Sequence, residues 1–309
     1  MPNGEPAARE LVVLGTAAGV PTRTRNHNGY ALRWDDELLL FDPGEGTQRQ
    51  MLWAGVSPSR VTRICITHFH GDHCLGLPGV LQRRAVDRPG SPVDVYFPAE
   101  SVEQFDHLYL ATSTSPPSSA RAHPAGPGPA ARGATFALHA AALDHRVPAL
   151  GWRVEEPSGR RMLTDRLAAA GVAGPDVGRL ARDGSVEVDG RVVRVEQVSA
   201  SRPGQRFAFI MDTRLCDAAF ELARDADLLV CEATFLSRDA RLAADYGLLP
   251  AAHAARIARE AGARRLVLTH FSQRYGDDAG PFVAEARAVF DDVIAVRDLD
   301  RVALPPRRG

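Results

Sequence analysis

The sequence predicts a layered α/β fold, and three observations carry that expectation. Short apolar runs bounded by turn residues recur along the chain, at 11–14, 38–41, 64–67, 207–211, 228–231 and 266–268, as buried strands do. Helical periodicity fills the intervals at 47–53, 216–224, 251–261 and 281–290, the last with Pro281 placed for a first turn. The two kinds of segment alternate, which is the pattern of sheets covered by helices.

A chain of 309 residues forms one large domain or two small ones and can bury a sizeable core. With 45% hydrophobic residues, 24% charged residues and a net charge of −1, it is neither disordered nor broadly basic. A nucleic-acid footprint would therefore be local. All 37 basic residues are arginine. No apolar run reaches the roughly 18 residues of a membrane span, and residues 1–10 lack the basic-then-apolar pattern of a signal peptide. The expected compartment is the cytoplasm. Cys65, Cys74, Cys216 and Cys231 show no C-x-x-C spacing, which argues against a disulfide framework or a cysteine-type zinc site. Cys65 and Cys231 fall in apolar runs, as small buried hydrophobes.

Two stretches interrupt the alternation. Residues 112–133 are rich in Ser, Pro and Gly and read as a surface loop. Residues 157–206 carry nine arginines against six acids, a local balance of +3, with only short apolar segments, and read as a small excursion from the core.

The densest chemistry follows the run at 64–67. His68-Phe69-His70-Gly71-Asp72-His73 sets three imidazoles and a carboxylate on one tight turn, with Gly71 giving the backbone freedom to converge them. Imidazole is the commonest neutral zinc ligand and Asp adds an anionic oxygen, so two clustered metals fit best. His145, Asp212 and His270 also stand just after apolar runs. Strands ending at one edge would gather all of them, since ligands collect at the carboxyl ends of strands in α/β sheets. His27, His107, His123, His139 and His253 lack that context and read as surface or core residues.

The H-x-H-x-D-H motif followed by His, Asp and His resembles the metallo-β-lactamase superfamily. The resemblance implies an αββα sandwich with two zinc ions per chain. Carried over, His68, His70 and His145 would bind one ion, Asp72, His73 and His270 the other, and Asp212 would bridge them. The superfamily acts on many substrates, so its fold does not choose one.

Further segments are similar to the ribonuclease Z family within it: Leu14-Gly15-Thr16-Ala17-Ala18-Gly19-Val20-Pro21, the arginine-rich loop to Asn26, Phe41-Asp42-Pro43-Gly44-Glu45-Gly46-Thr47-Gln48, Gly76-Leu77-Pro78-Gly79, and Asp144-His145-Arg146-Val147-Pro148. Glu232-Ala233-Thr234-Phe235 and Leu268-Thr269-His270-Phe271-Ser272-Gln273-Arg274-Tyr275 extend the match. The family cleaves the 3′ trailer from precursor tRNA, leaving a 3′-hydroxyl on the tRNA and a 5′-phosphate on the trailer. It is generally homodimeric, and it grips the tRNA elbow with a protruding exosite arm. Residues 157–206 occupy the arm's slot within one 1–309 domain, and Gly174-Pro175 resembles its Gly-Pro turn. By the same resemblance Asp72 orients the nucleophile and takes its proton, Glu232 belongs to the catalytic set, and Arg25 and Arg274 hold phosphates.

One position departs from the pattern. The family places a His in a short His-x-Thr segment before the helix leading to the last metal His, to aid the leaving group. Here Leu248 stands at the His and Pro250 at the Thr, and Cys231 replaces a His before Glu232. Two alternatives stay open at this point: another phosphodiesterase or esterase of the same fold, and an RNA-binding homologue with weakened catalysis.

Overall fold

The computed structural model describes residues 9–87, 90–112 and 120–308. The chain divides into two compact units: residues up to Glu155 together with Arg206–Pro305, and Glu156–Gln205 together with the residues from Pro306.

The first unit holds two seven-stranded sheets. One runs in the order Arg301–Ala303, Glu10–Gly15, Gly29–Trp34, Glu37–Phe41, Arg63–Cys65, Val93–Pro98, Ala120–Ala125. The other runs Val293–Ala295, Leu266–Thr269, Leu228–Glu232, Arg206–Ile210, Leu150–Glu155, Ala137–Ala142, Gly128–Arg132. Successive side chains of a strand point to opposite faces, and here both faces are apolar. Leu11 and Val13, Leu39 and Phe41, and Phe207 and Phe209 enter one central cluster shared by both sheets. Their alternates Val12, Leu14, Leu38 and Leu40 pack in a cluster with Met51, Leu77, Val80 and Phe105, which belong to helices Thr47–Trp53, Leu77–Asp87 and Val102–Tyr109. Ala208 and Ile210 pack with Ala219, Leu222, Ile257 and Phe282, from helices Asp217–Ala223, Ala251–Glu260 and Gly280–Arg287. The result is helix, sheet, sheet, helix. Apolar runs without strict alternation are what strands covered on both sides require.

The expected surface loop at 112–133 needs correction. Ala120–Ala125 and Gly128–Arg132 are strands, and residues 113–119 lie outside the described residues. The composition misled because these are the edge strands of the two sheets, where Pro124 and Pro129 can sit without breaking a central ladder.

The second unit is built from a strand pair, Gly159–Met162 with Ser199–Arg202, a hairpin, Ser185–Val188 with Arg191–Arg194, and helices Thr164–Ala169 and Pro175–Asp183. Asp189 and Gly190 turn the hairpin at positive φ, as a two-residue loop demands. Its core is six buried residues: Val172, Leu180, Val186, Val193, Val195 and Val198. Arg206 begins a strand of the first unit and pairs with Glu155, so the excursion spans 156–205.

Candidate metal centre

Strands 206–210, 228–232 and 266–269 run parallel, as do 37–41 and 63–65, so their carboxyl ends share an edge within each sheet. Asp212, Glu232 and His270 lie at the ends of the first three. Asp42 and the His68–His73 turn follow the other two. The turn after strand 37–41 sits so close to the His-rich turn that a Cβ on Gly44 would lie 2.2 Å from the Asp72 carbonyl. Glycine is needed there because backbone meets backbone.

The ligating atoms converge in two groups. His68 Nε2 lies 2.9 Å from His70 Nδ1, and His145 Nε2 lies 3.3 Å from that same atom. Asp212 Oδ2 lies 3.6 Å from His68 Nε2 and 3.8 Å from His145 Nε2. In the second group Asp72 Oδ2 stands 3.4 Å from His73 Nε2 and 3.5 Å from His270 Nε2. Asp212 Oδ1 reaches the same two nitrogens at 3.4 and 3.3 Å. The seven residues marked in the sequence are thus brought together, and the two oxygens of Asp212 face one group each.

These donors fit a metal. His70 Nδ1 has two ring nitrogens against it and can donate to one at most, and Asp212 Oδ1 and His270 Nε2 are buried with no hydrogen-bond partner, a costly state for polar atoms. Burial lowers the His68, His70 and His145 imidazoles below their ordinary range, keeping them in the neutral form that ligates. Burial also acts to lower His270, but Asp212 and Asp72 outweigh it and raise it. The second group therefore favours positive charge. The fold and this His/Asp group together imply a bound metal.

The outer imidazole nitrogens of four of the five histidines are given a partner, which fixes the tautomer. His73 Nδ1 donates to Asp42 Oδ2 at 2.8 Å. Thr67 Oγ1 donates to that same oxygen at 2.7 Å and accepts from His68 Nδ1 at 3.0 Å. His145 Nδ1 donates to the Gly247 carbonyl at 2.9 Å. His270 Nδ1 donates to Thr234 Oγ1 at 2.7 Å, and Thr234 donates to Glu232 at 2.5 Å. Asp42, Asp212 and His270 hold φ of 44°, 37° and 60°. Such values cost non-glycine residues of order 1 kcal/mol and mark a constrained site.

Two expectations change here, and one residue was missed. Glu232 is fully buried behind His270, accepting from the Thr213 amide at 2.7 Å. Burial and nearby Asp212 push its carboxyl up to about 8. It holds Thr234 and through it His270, so it is a positioning residue, not a group facing substrate. Arg25 is 5% exposed, and its guanidinium donates to Thr16 Oγ1 at 2.8 Å and to the Val296 and Asp277 carbonyls. Buried and engaged inward, it braces the 22–26 loop and is not presented to a phosphate. Arg274 is exposed and remains available. Asp42 was missed, although it directly follows a buried run, the signal that marked Asp212.

A cavity of about 410 Å³ opens beside the ligands, lined by Asp72, His145, Asp212, His270, Arg146 and Leu248 among others. A larger groove of about 820 Å³ lies within the second unit, lined by residues such as Arg166 and Arg191, and no ligand cluster accompanies it among the described residues.

The metallo-β-lactamase superfamily model matches residues 22–177, and the beta-lactamase superfamily domain model matches 185–271. Ribonuclease Z of Nocardia farcinica is 59% identical over 97% of this chain and 99% of its own length. The chain belongs to the ribonuclease Z family. Its membership makes it a hydrolase of the endoribonuclease type. Ribonuclease Z of Streptomyces coelicolor is 53% identical, covering 98% of this chain and 100% of its own. Human tRNase Z, short form, superposes with a TM-score of 0.69 at 25% identity, covering 96% of this chain and 100% of that one. Among the described residues no helix is long and apolar enough to cross a membrane.

Proposed function

We propose that the protein is a zinc-dependent endoribonuclease that removes the 3′ trailer from precursor tRNA, leaving a tRNA 3′-hydroxyl and a trailer 5′-phosphate. The observation that carries this reading is the pair of ligand groups sharing Asp212 beside an open cavity. His68, His70 and His145 would hold one zinc, Asp72, His73 and His270 the other, with Asp212 between them. Zinc at such a site supplies Lewis acidity, making water a nucleophile near neutral pH and neutralising charge on phosphate oxygens.

The chain's own residues supply the geometry. Asp72 lines the cavity, accepts from the Gly19 amide at 2.7 Å, and would orient the attacking water and take up its proton. Asp42 and Glu232 hold the imidazoles in their tautomers. Arg274 would meet a substrate phosphate. Residues 156–205 would act as the tRNA-gripping arm, because Arg160, Arg161, Arg166, Arg179, Arg182, Arg191 and Arg194 are all exposed, and phosphate contacts give sequence-independent affinity. In the same reading the protein works as a cytoplasmic homodimer.

A second reading rests on Leu248. It lines the cavity, and a leucine can neither donate a proton nor bond a phosphate, so a protein that binds the precursor but cleaves it slowly is the rival. Incubating zinc-loaded protein with a 3′-extended precursor tRNA and with a simple aryl phosphodiester separates the possibilities. Cleavage of both, with the expected end groups, supports the proposal. Cleavage of the small ester alone favours a different phosphodiesterase, and binding without cleavage favours the weakened homologue.

A further inference from the structure

The cavity lining carries a group that the reading above does not use. Apart from the imidazoles, Arg146 is the one cationic side chain among the described residues that line the cavity. It follows His145 directly, and it is exposed. Its guanidinium carbon lies 5.1 Å from the centroid of the Tyr246 ring, and among the described residues the group has no hydrogen-bond or ion-pair partner. The contrast with its neighbour is informative. Arg214 donates to Asp144 Oδ1 at 3.1 Å and to the Ala244 carbonyl at 3.1 Å, and so is spent on the protein itself. Tyr246 also lines the cavity, is 45% exposed and stacks on buried Phe235 with centroids 6.4 Å apart and planes at 25°.

A guanidinium that stacks on an aromatic face keeps its edge donors free for a phosphate, in a plane fixed by the ring. We infer that Arg146, braced on Tyr246, binds the phosphate flanking the scissile one. This rests on the proposed ribonuclease reading and names how that site would hold the strand.

The test is steady-state cleavage of a 3′-extended precursor tRNA by wild type, Arg146→Ala, Arg146→Lys and Tyr246→Leu, each zinc-loaded and assayed across a salt series. For Arg146→Ala, KM for the precursor should rise about tenfold with kcat changed less than about twofold. The slope of log KM against log salt should fall by roughly 0.7 to 1. Arg146→Lys should restore the salt slope but not the full affinity, because an ammonium lacks the planar stack. Tyr246→Leu should raise KM less than Arg146→Ala does, with the salt slope largely kept, because the guanidinium loses its brace and not its charge. Hydrolysis of an aryl phosphodiester, which has no flanking phosphate, should change less than precursor cleavage in all three. Wild type that cleaves the precursor while Arg146→Ala matches it in KM and salt slope overturns this inference alone. So does loss of zinc from Arg146→Ala, which would make the side chain a support for His145. Zinc-loaded wild type that leaves the precursor intact overturns the functional reading and this inference with it.

Discussion

The metal centre and the 156–205 unit treat their polar residues in opposite ways. At the centre His68, His73 and His270 are buried, Asp212 is 5% exposed, and the outer imidazole nitrogens of four histidines are matched to a carboxylate, hydroxyl or carbonyl. In 156–205 seven arginines face outward over a core of six residues. Burial with full partnering fixes a geometry, and metal ligation needs a fixed geometry. Exposure fixes nothing, and a phosphate backbone recognised by charge alone does not require it. The difference predicts that chemistry and RNA affinity fail separately when each region is damaged.

The largest effect should come from Asp212→Ala, which removes the one residue that faces both ligand groups. Elemental analysis should show wild type with close to two zinc ions, matching the two groups, and the variant with most of that metal gone and hydrolysis at background. His70→Ala should behave alike. A variant that keeps its metal and its activity would break the assignment at the centre.

Replacing 156–205 with an Asn-Gly turn tests the other side of the comparison. Glu155 and Arg206 are direct partners across an antiparallel pair, so a two-residue turn can rejoin them. KM for precursor tRNA should rise by about 10²-fold as phosphate contacts are lost, while aryl phosphodiester turnover stays within about twofold. Unchanged precursor affinity at moderate salt, in a deletion that still binds its metal, would return the segment to a solvated surface element.

The comparison also explains what was legible. The seven candidate ligands stood out because they follow apolar runs, and strands that end near one edge turn that sequence pattern into a cluster. Most strand runs were visible for the same reason: strands covered on both faces read as unbroken apolar stretches. Gly29–Trp34 and Leu150–Glu155 were harder, since Arg33, Arg153 and two glycines dilute them, and the edge strands near 120–132 were hidden by their Pro and Gly. Arg25 could not be placed from sequence. Whether an arginine in a loop points to solvent or inward onto Thr16 is decided by tertiary packing. Glu232 shows the same limit, because buried carboxylates that brace a ligand and exposed ones that face substrate look identical in a string of residues.

Asp42→Asn probes the bracing itself. The carboxylate accepts from His73 and from Thr67, which in turn accepts from His68, so one acid serves both ligand groups. An amide presents a donor where an acceptor is needed and favours the wrong His73 tautomer. Metal affinity or activity should fall between about 10- and 100-fold, with the fold retained by circular dichroism. No change in either would make Asp42 a passive core residue.

The smallest expected effect is a gain, and it bears on the wall of the cavity that neither region supplies. Leu248 lines the cavity in the segment whose preceding carbonyl, that of Gly247, holds His145. In the proposed reading the metal ligands and Glu232 are in place, and the resemblance leaves an imidazole able to help the leaving oxygen as the missing element. General-acid catalysis is typically worth about 10²–10⁴ in rate. Leu248→His should recover only part of that, on the order of tenfold, because Pro250 caps the following helix and fixes the turn in which the new side chain must find its rotamer. Since the group acts on the transition state, the gain should appear in kcat with KM nearly constant. Single-turnover cleavage of precursor tRNA by wild type and variant decides the matter. Equal and fast rates would mean that another group already serves the leaving oxygen. Equal and slow rates at full zinc occupancy would shift the lesion to Pro250, and Leu248→His combined with Pro250→Thr then becomes the variant that must gain.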